Sequence, residues 1–366
     1  MQEVCEGGDL FGEGHVEGLR AVFDRDTLLD PDNPEYGAKV NQFLFTDASN
    51  EGRTPLIQRF AAQSFGTVNF SNHGSYCGQS FRVGAGAALG DLKGMPHGKP
   101  DWDNARFGLF IGAAPAQAGN PFQRQARQLA EARVRPEEDS FTYVVVSPML
   151  PASSSLSAGS GNEWLPVNPA SDLALAMGLI RWILDNDRFD ARMLAQPGPN
   201  AMKAADEAAW TNATHLVVAE PGHPRLGSFV RGADLGWPRP ADADDKWEDV
   251  YAVRLEDGTL APHTTASPAT LFVDERIAVP GMPGGADTVR VCSSLALLRE
   301  ESHRKSLDEY AGLCGVPADK IASLAKRFTS YGKRAVADAH GGTMSGAGFY
   351  TCLLYTSPSP RDQRGS

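Results

Sequence analysis

Short apolar runs alternate with segments of helical periodicity along the first half of this chain. Residues 107–111 and 143–146 are apolar runs of the kind that form strands covered on both faces of a parallel sheet. Residues 122–133 carry a helical pattern with a basic outer face, and residues 172–184 follow Ser171, a residue type that caps helices. Strands that alternate with helices at this rhythm predict an α/β fold with doubly wound parallel sheets.

The remaining segments extend this arrangement. Strands are predicted at residues 42–46, 164–167, 214–218 and 250–255, and helices at residues 53–65, 81–92, 294–303, 306–314 and 318–331. Residues 197–289 are rich in Pro, Asp and Gly, and they predict a long irregular excursion at the surface with only short strands. The tryptophans at positions 164, 182 and 210 are interpreted as core residues.

Composition and charge narrow the function classes. The 366 residues are 42% hydrophobic and 22% charged, which is ordinary for a globular protein with room for two α/β domains. The formal net charge of −11 argues against nucleic acid as a partner, because a phosphate-binding surface needs a basic excess. No apolar run approaches the roughly 20 residues that a membrane-spanning helix requires, so no direct membrane insertion is predicted.

Both ends of the sequence suggest a fragment. Residues 352–366 resemble the in-frame translation of a sequencing adapter, and we predict that this tail is not native; a genuine Ser/Pro-rich tail is the alternative. Residues 1–7 lack the basic region and apolar core of an export signal, and the first predicted strand comes only at about Phe43. We expect the native protein to continue past residue 350, and an internal start competes with a genuine N-terminus.

Cys77 is the first candidate for chemistry. The cysteines at positions 5, 77, 292, 314 and 352 show no CxxC spacing, which argues against a structural zinc site or a disulfide framework. Cys77 lies in a loop with Gly74, Ser75 and Gly78, so its thiol could be a metal ligand, a nucleophile or a core residue. His73 precedes it by four residues, a spacing that is not diagnostic of a shared metal in a loop. No local signature of a cysteine protease surrounds it.

The carboxyl ends of two predicted strands offer a second kind of site. Residues 112–115, Gly-Ala-Ala-Pro, follow the first strand, and their small size would let a phosphate approach the backbone N–H groups. This turn is neither a GxGxxG fingerprint nor a Walker A motif. Asp172 opens a helix, where the helix dipole favours an acid and where the carboxylate could also pair with two N–H donors of guanine. Open α/β sheets bind their ligands at this edge.

Taken in chain order, these residues resemble the molybdopterin oxidoreductases of the DMSO reductase family. The family pattern has a Gly-Thr-x-Asn segment before a metal-ligating residue, a Gly-x-Asn-Pro turn, a Val-Asp-Pro strand end and a Pro-Gly-Thr-Asp-x-Ala-Leu helix start. The corresponding positions in this chain are Gly66-Thr67-Val68-Asn69, Cys77, Gly112-Ala113-Ala114-Pro115, Val146-Ser147-Pro148 and Pro169-Ala170-Ser171-Asp172-Leu173-Ala174-Leu175. The ordered series covers residues 43–184 and is far more specific than any one of its motifs.

The resemblance implies a division into domains and a set of site residues. It implies a Rossmann-like domain at residues 73–331 that binds molybdopterin guanine dinucleotide, with an irregular insertion at about 197–289. Residues 1–72 would belong to a discontinuous second α/β domain that returns at residues 332–351. Cys77 would be the molybdenum ligand and the catalytic residue. The residues implied near one half of a molybdenum bis(molybdopterin guanine dinucleotide) cofactor are Gly112, Ala114, Pro115, Ser147, Pro148 and Asp172.

The resemblance also implies an activity and partners. Residues 72–78, 114–122 and 210–215 are most similar to members that reduce sulfur oxyanions, and the expected reaction is two-electron reduction of tetrathionate to thiosulfate. Polysulfide, thiosulfate and arsenate are alternative substrates. The implied partners are an iron–sulfur electron-transfer subunit, together with a membrane subunit that oxidises quinol, and the implied location is the periplasmic face of the membrane. A non-catalytic α/β binding protein with a structural Cys77 is the alternative from another class.

Several positions depart from the family pattern. Ala114 stands where the family usually has Asn, Ser147 where it has Asp, and residues 170–171, Ala-Ser, where it has Gly-Thr. We expect backbone contacts to a cofactor to persist at these positions and side-chain contacts to be lost. A 4Fe-4S cluster is expected in an N-terminal part that this sequence lacks, and the domain that completes the second pterin site is also missing. The fragment itself is therefore expected to be inactive.

Overall fold

The computed structural model describes residues 2–9, 12, 14–47, 54–72, 100–114, 116, 122–150, 161–241, 243, 248–282 and 288–339. The chain divides into two compact units, residues 1–80 and 81–366. Cys77, His73, Pro115 and the helix predicted at residues 81–92 lie outside the described residues. Sequence motifs that fall there remain predictions.

The first unit contains a small parallel sheet. Its early elements are α1 (Gln2–Glu6), β1 (Gly7–Gly8), β2 (Val16–Glu17), α2 (Leu19–Val22) and 3₁₀ turns at Pro34–Tyr36 and Lys39–Gln42. The parallel pair is β3 (Phe45–Asp47) and β4 (Phe70–Asn72), joined through α3 (Thr54–Gln58) and a π-helix (Arg59–Phe65). The predicted strand is present but begins three residues later, and the second half of the predicted helix is wound as a π-helix.

A four-stranded parallel sheet forms the centre of the second unit. Its strands are β5 (Phe107–Ile111), β6 (Thr142–Val146), β7 (Glu163–Leu165) and β13 (Ala335–Ala339), in the spatial order β13-β5-β6-β7. The chain moves outward from β5 to β6 and β7, and it reaches the opposite side of β5 only at β13. This reversal is the switch point of a doubly wound sheet, and it confirms the predicted α/β fold class.

Helices cover both faces of this sheet because the strand residues alternate in direction. The helices that the structure describes in this unit are α4 (Phe122–Arg133), α5 (Asp172–Asp185), α6 (Ala191–Leu194), α7 (Pro199–Ala204), α8 (Ser294–Ser302), α9 (Leu307–Cys314) and α10 (Ala318–Ser330). On one face, Leu109 and Val144 join the buried side chains of α5, α9 and α10. On the other face, Phe110 and Val145 pack with Leu129 of α4. In this unit, the helices predicted at residues 122–133, 172–184, 294–303, 306–314 and 318–331 are thus confirmed to within a residue.

Residues 197–289 contain the two short strands predicted at residues 214–218 and 250–255, together with further strands and a buried core that the prediction of a surface excursion did not include. They contribute β8 (Leu216–Val218), β9 (Ala252–Arg254), β10 (Leu260–Pro262) and β11 (Asp274–Ala278), and β12 (Thr288–Ser293) follows. Strands β11, β12 and β8 form an antiparallel sheet, while β9 and β10 form a hairpin. Val218, Ala252 and Ile277 are buried in a core that this segment forms together with Val291 of β12. Because its strands are short and its turns use Pro, Gly and Asp, the overall composition resembled a loop.

Strand β13 also lies where the predicted domain division did not place it. The prediction assigned residues 332–351 to the same domain as residues 1–72, whereas β13 pairs in parallel with β5 in the second unit. Helix α10 ends only five residues before β13, and this short connection brings the strand to the nearest open edge of the sheet. The domain boundaries as a whole remain a prediction. No helix in the described ranges is long and apolar enough to cross a membrane.

Candidate cofactor-binding site

The turn after β5 lies at the switch point of the sheet. Gly112 adopts a left-handed conformation, with φ 57°, and its N–H donates a hydrogen bond to the carbonyl oxygen of Val146 at 2.9 Å. Ala113 is buried beneath it and Ala114 is half-buried. The strand therefore stops at Ile111, and the chain turns at a residue with no side chain. An anion could approach the backbone closely at this exposed glycine.

The turn after β6 is held by the neighbouring strand. The Ser147 N–H donates to the carbonyl oxygen of Leu165 at 3.3 Å, and Trp164 donates from its indole nitrogen to the carbonyl oxygen of Ser147 at 2.9 Å. Ser147 is half-buried and Pro148 is exposed. Trp164 is 37% exposed, so its interpretation as a core residue was wrong. It lies on the outermost strand, where its ring covers the turn instead of the core.

The loop between β7 and α5 brings Asp172 to the same edge of the sheet. Ala170 adopts a left-handed conformation, with φ 62°, at the position where the family pattern has glycine. Ser171 occupies the cap position that was predicted for it, but its side chain makes no capping bond to the helix. Its hydroxyl donates instead to the carbonyl oxygen of Asn168, at 2.6 Å. Asp172 is then the first residue of α5.

Asp172 is half-buried, and this burial shifts the pKa of its carboxyl. Burial raises the pKa of its carboxyl above the ordinary value, and a backbone hydrogen bond opposes part of that rise. The strand order places β7 two strands from β5, so the ends of these strands are roughly 10 Å apart across the sheet edge. The glycine turn at Gly112, the Ser147 turn and Asp172 thus follow three neighbouring strands at one edge. The structure brings these predicted site residues together along that edge.

The Gly-Thr-x-Asn segment connects the helix and the second strand of the first unit. Gly66 ends the π-helix with φ 98°, and an added Cβ would lie 2.7 Å from Nε of Arg25. Thr67 is buried and donates from its hydroxyl to the carbonyl oxygen of Phe43, at 2.7 Å. The side-chain amide of Asn69 donates to the carbonyl oxygen of Asn41. The segment therefore fixes the start of β4, the strand that leads toward residue 77.

The predicted metal ligand Cys77 and the nearby His73 lie outside the described residues, so the metal site stays a prediction. Within the described ranges, no three His, Cys, Asp or Glu side chains are arranged to hold a metal ion. Cys292 and Cys314 are both buried, and desolvation raises the pKa of each thiol, to about 11 for Cys292. These two cysteines are structural.

Three residues that shape this edge were not among the sequence-predicted site residues. Trp164, Asn168 and Gly315 act through contacts to residues far away in sequence, such as the 3.3 Å bond from the Asn168 side chain to the carbonyl oxygen of Leu313. A glycine directly after a predicted helix is the usual signal of a C-cap, and it could have identified Gly315. No local pattern marks the other two.

Comparison with known proteins gives relatives along nearly the whole chain. The chain is 48% identical over 350 residues to a tetrathionate reductase subunit of Salmonella typhimurium, covering 96% of this chain and 33% of that protein. It is 30% identical over 391 residues to a selenate reductase subunit of Mesobacillus selenatarsenatis, covering 94% and 35%. A tetrathionate reductase subunit of Archaeoglobus fulgidus is 27% identical, over 85% and 25%. No protein-family model matches. The chain spans about a third of the length of these curated relatives.

Proposed function

Because the chain belongs to the molybdopterin oxidoreductases of the DMSO reductase family, we propose that it holds one guanine dinucleotide arm of a molybdenum cofactor in a tetrathionate-reducing enzyme. The observation that carries the proposal is the edge of the parallel sheet. Gly112 opens a turn at the switch point, and Asp172 begins a helix two strands away on the same edge. Dinucleotides bind across such an edge in doubly wound sheets.

The residues at this edge of the sheet have chemical groups that suit a guanine dinucleotide. The exposed backbone at Gly112 suits a phosphate, because there is no Cβ to keep the anion away. A carboxylate at Asp172 can accept two hydrogen bonds from a guanine, and its partial burial strengthens such bonds. The turns at Ala114, Pro115, Ser147 and Pro148 would contribute backbone contacts. Ala114 and Ser147 lack the amide and carboxylate that the family pattern has there.

Cys77 is the proposed protein ligand to molybdenum. A thiolate is a soft ligand and suits a redox-active metal that also carries dithiolene sulfurs. When bound, the cofactor supplies the two electrons that convert one tetrathionate into two thiosulfates by breaking the central S–S bond. The part of this chain is to bind the dinucleotide arm at Gly112 and Asp172 and to orient the cofactor. Strand β4 would deliver the loop with Cys77.

The substrate proposal follows the named relatives. Two of them are subunits of tetrathionate reductases, and the 48% identity favours tetrathionate over the other sulfur oxyanions. Selenate is the competing oxyanion, because a selenate reductase subunit is 30% identical. Both activities belong to proteins about three times as long as this chain. The substrate is therefore to be tested on the enzyme that carries the chain in its host.

The remaining proposals concern the assembly. The relatives are named as single subunits of their reductases, which supports an enzyme of several subunits. As partners we propose an iron–sulfur subunit for electron transfer, together with a membrane subunit that oxidises quinol, and we place the catalytic part on the periplasmic face. A 4Fe-4S cluster and the second pterin arm would be held by parts of the polypeptide outside this sequence.

The test uses the intact host enzyme with wild-type sequence, Cys77→Ala and Asp172→Asn. Molybdenum is measured by elemental mass spectrometry, and the guanine nucleotide is measured after acid release. Turnover is followed as thiosulfate produced from tetrathionate or as selenite produced from selenate. We expect Cys77→Ala to lose turnover and Asp172→Asn to retain less guanine nucleotide. Normal molybdenum content and turnover in Cys77→Ala would remove the ligand proposal. Wild-type protein without molybdenum and without guanine nucleotide would favour the non-catalytic binding protein.

A further inference from the structure

The loop that carries Asp172 is tied to the far end of another helix. The Asn168 N–H donates to the carbonyl oxygen of Cys314 at 2.8 Å, and the Asn168 side-chain amide donates to the carbonyl oxygen of Leu313 at 3.3 Å. These acceptors are the last two residues of α9. The carbonyl oxygen of Asn168 in turn accepts bonds from the Ser171 N–H and hydroxyl, at 3.2 and 2.6 Å. Asn168 therefore joins the end of α9 to the residue just before Asp172.

Gly315 provides the space for this connection. It caps α9 with φ 74°, and its N–H donates to the carbonyl oxygen of Ala311 at 2.8 Å. A Cβ added to Gly315 would lie 2.7 Å from Oδ1 of Asn168 and 2.9 Å from Nδ2. Any other residue would therefore strain the cap and push the Asn168 side chain out of its position.

Helix α9 is itself fixed against α5, so the loop is held from both ends. Gly178 of α5 packs closely on Tyr310 of α9, where an added Cβ would meet the Tyr310 Cβ at 3.4 Å. Cys314 is fully buried in the core that α5, α9 and α10 share. The left-handed Ala170 lies between Asn168 and Asp172. Such strain persists only where the surroundings enforce it, and Asn168 supplies that restraint.

We propose that Asn168, seated against Gly315, is a positioning residue for Asp172 and sets the preference of this edge for a guanine over an adenine base. The inference rests on the proposed function, since Asp172 is taken as the guanine acceptor. Guanine offers two adjacent N–H donors to a correctly placed carboxylate, whereas adenine does not offer that pair. Displacing the loop therefore weakens guanine binding selectively. A loss of general stability would weaken both nucleotides together.

The test compares GDP and ADP as probes on the full chain by calorimetry. Wild type is expected to bind GDP more tightly than ADP, and Asp172→Asn to abolish the preference. Asn168→Ala removes the amide donor and is expected to lower the preference roughly threefold, with ADP affinity unchanged. Gly315→Ala is expected to lower the preference for GDP at least as much. The matched control is Gly312→Ala on the same helix, where an added Cβ meets nothing within 4 Å and the preference is expected to persist.

The outcomes separate the inference from the function on which it rests. If wild type prefers GDP and Asp172→Asn loses the preference, but Asn168→Ala and Gly315→Ala keep it, the positioning role is wrong and the guanine site stands. If wild type shows no preference for GDP, the guanine role of Asp172 fails and the positioning role falls with it. Thermal melts of each variant check folding, and Asn168 is exposed enough for its truncation to leave the fold intact.

Discussion

The indole nitrogen of Trp164 donates a hydrogen bond to the carbonyl oxygen of Ser147, at 2.9 Å. Trp164 lies on β7, the outermost strand of the parallel sheet, and Ser147 is the first residue after β6. A side chain of β7 thus holds the turn that follows the neighbouring strand, β6. The family pattern has an Asp at position 147, whereas the residue whose carbonyl oxygen accepts this bond is a serine.

Replacing Trp164 by Phe should loosen the Ser147 turn. The variant keeps an aromatic ring and loses only the N–H donor, so we expect about 1 kcal/mol less stability toward unfolding. The Ser147 amide should exchange its hydrogen faster because the turn opens more often. Urea unfolding and amide exchange, both on the full chain, measure these effects.

Trp210→Phe is the matched control for this prediction. Trp210 is half-buried, and its indole nitrogen has no hydrogen-bond partner within the described ranges. Its replacement should leave exchange at Ser147 unchanged. If the Ser147 amide exchanges its hydrogen at the same rate in Trp164→Phe and in Trp210→Phe, the indole hydrogen bond does not hold the turn.

The sequence could predict the elements of the sheet but not the contacts that fix its edge. The runs at residues 107–111 and 143–146 reveal strands because a parallel sheet buries both of their faces. Gly112 and Asp172 were predictable because turn and helix-start chemistry is local. The close contact between Asn168 and Gly315 was not predictable, since the two residues are 147 positions apart. The pairing of β13 with β5 was not predictable either, since residues 335–339 and 107–111 are more than 200 positions apart.

Arg25 should prove important for the end of the π-helix. Its guanidinium donates to the carbonyl oxygens of Phe65 at 3.1 Å, Gln63 at 3.3 Å and also Ser64. Lysine keeps the charge but cannot form this fork of bonds, so Arg25→Lys should cost about 1 kcal/mol of stability, given the exposure of the site. The Gly66 amide, which closes the last turn, should exchange faster.

A second arginine in the same unit supplies the comparison. Arg20 forms a surface ion pair with Glu6 at 2.7 Å, and both side chains are well exposed. Arg20→Lys should therefore change neither stability nor exchange at Gly66. Equal effects of the two substitutions would show that the guanidinium fork does not cap the π-helix.

Acid should destabilise the segment around His215. This imidazole is buried among the rings of Phe229, Tyr251 and His263, and its Nε2 bonds to the carbonyl oxygen of Pro197 at 2.9 Å. Desolvation lowers the pKa of His215 from 6.5 to about 4. Between these values the unfolded chain binds a proton that the folded chain does not, so stability falls as the pH is lowered from about 6.5 toward 4.

The difference between the two pKa values of His215 corresponds to about 3 kcal/mol of folding stability. This stability is fully present above pH 6.5 and is lost as the pH falls. Burial also lowers the pKa of His263, which adds to the same trend. Urea unfolding of wild type and His215→Gln at several pH values measures the effect. The variant should show a clearly shallower loss of stability in this range. An unchanged slope would mean that His215 does not remain neutral in the folded chain.

Glycine at position 170 should stabilise the chain. Ala170 has φ 62°, a conformation that costs an L-residue roughly 1 kcal/mol and glycine almost nothing. The greater flexibility of glycine in the unfolded chain offsets part of the gain, so Ala170→Gly should add roughly 0.5 kcal/mol. Ala205→Gly is the matched control, because its φ of −86° is ordinary and the substitution should remove roughly 0.5–1 kcal/mol. Urea unfolding of both variants measures whether each substitution raises or lowers the free energy of unfolding. A loss of stability in Ala170→Gly would show that the left-handed turn carries no strain.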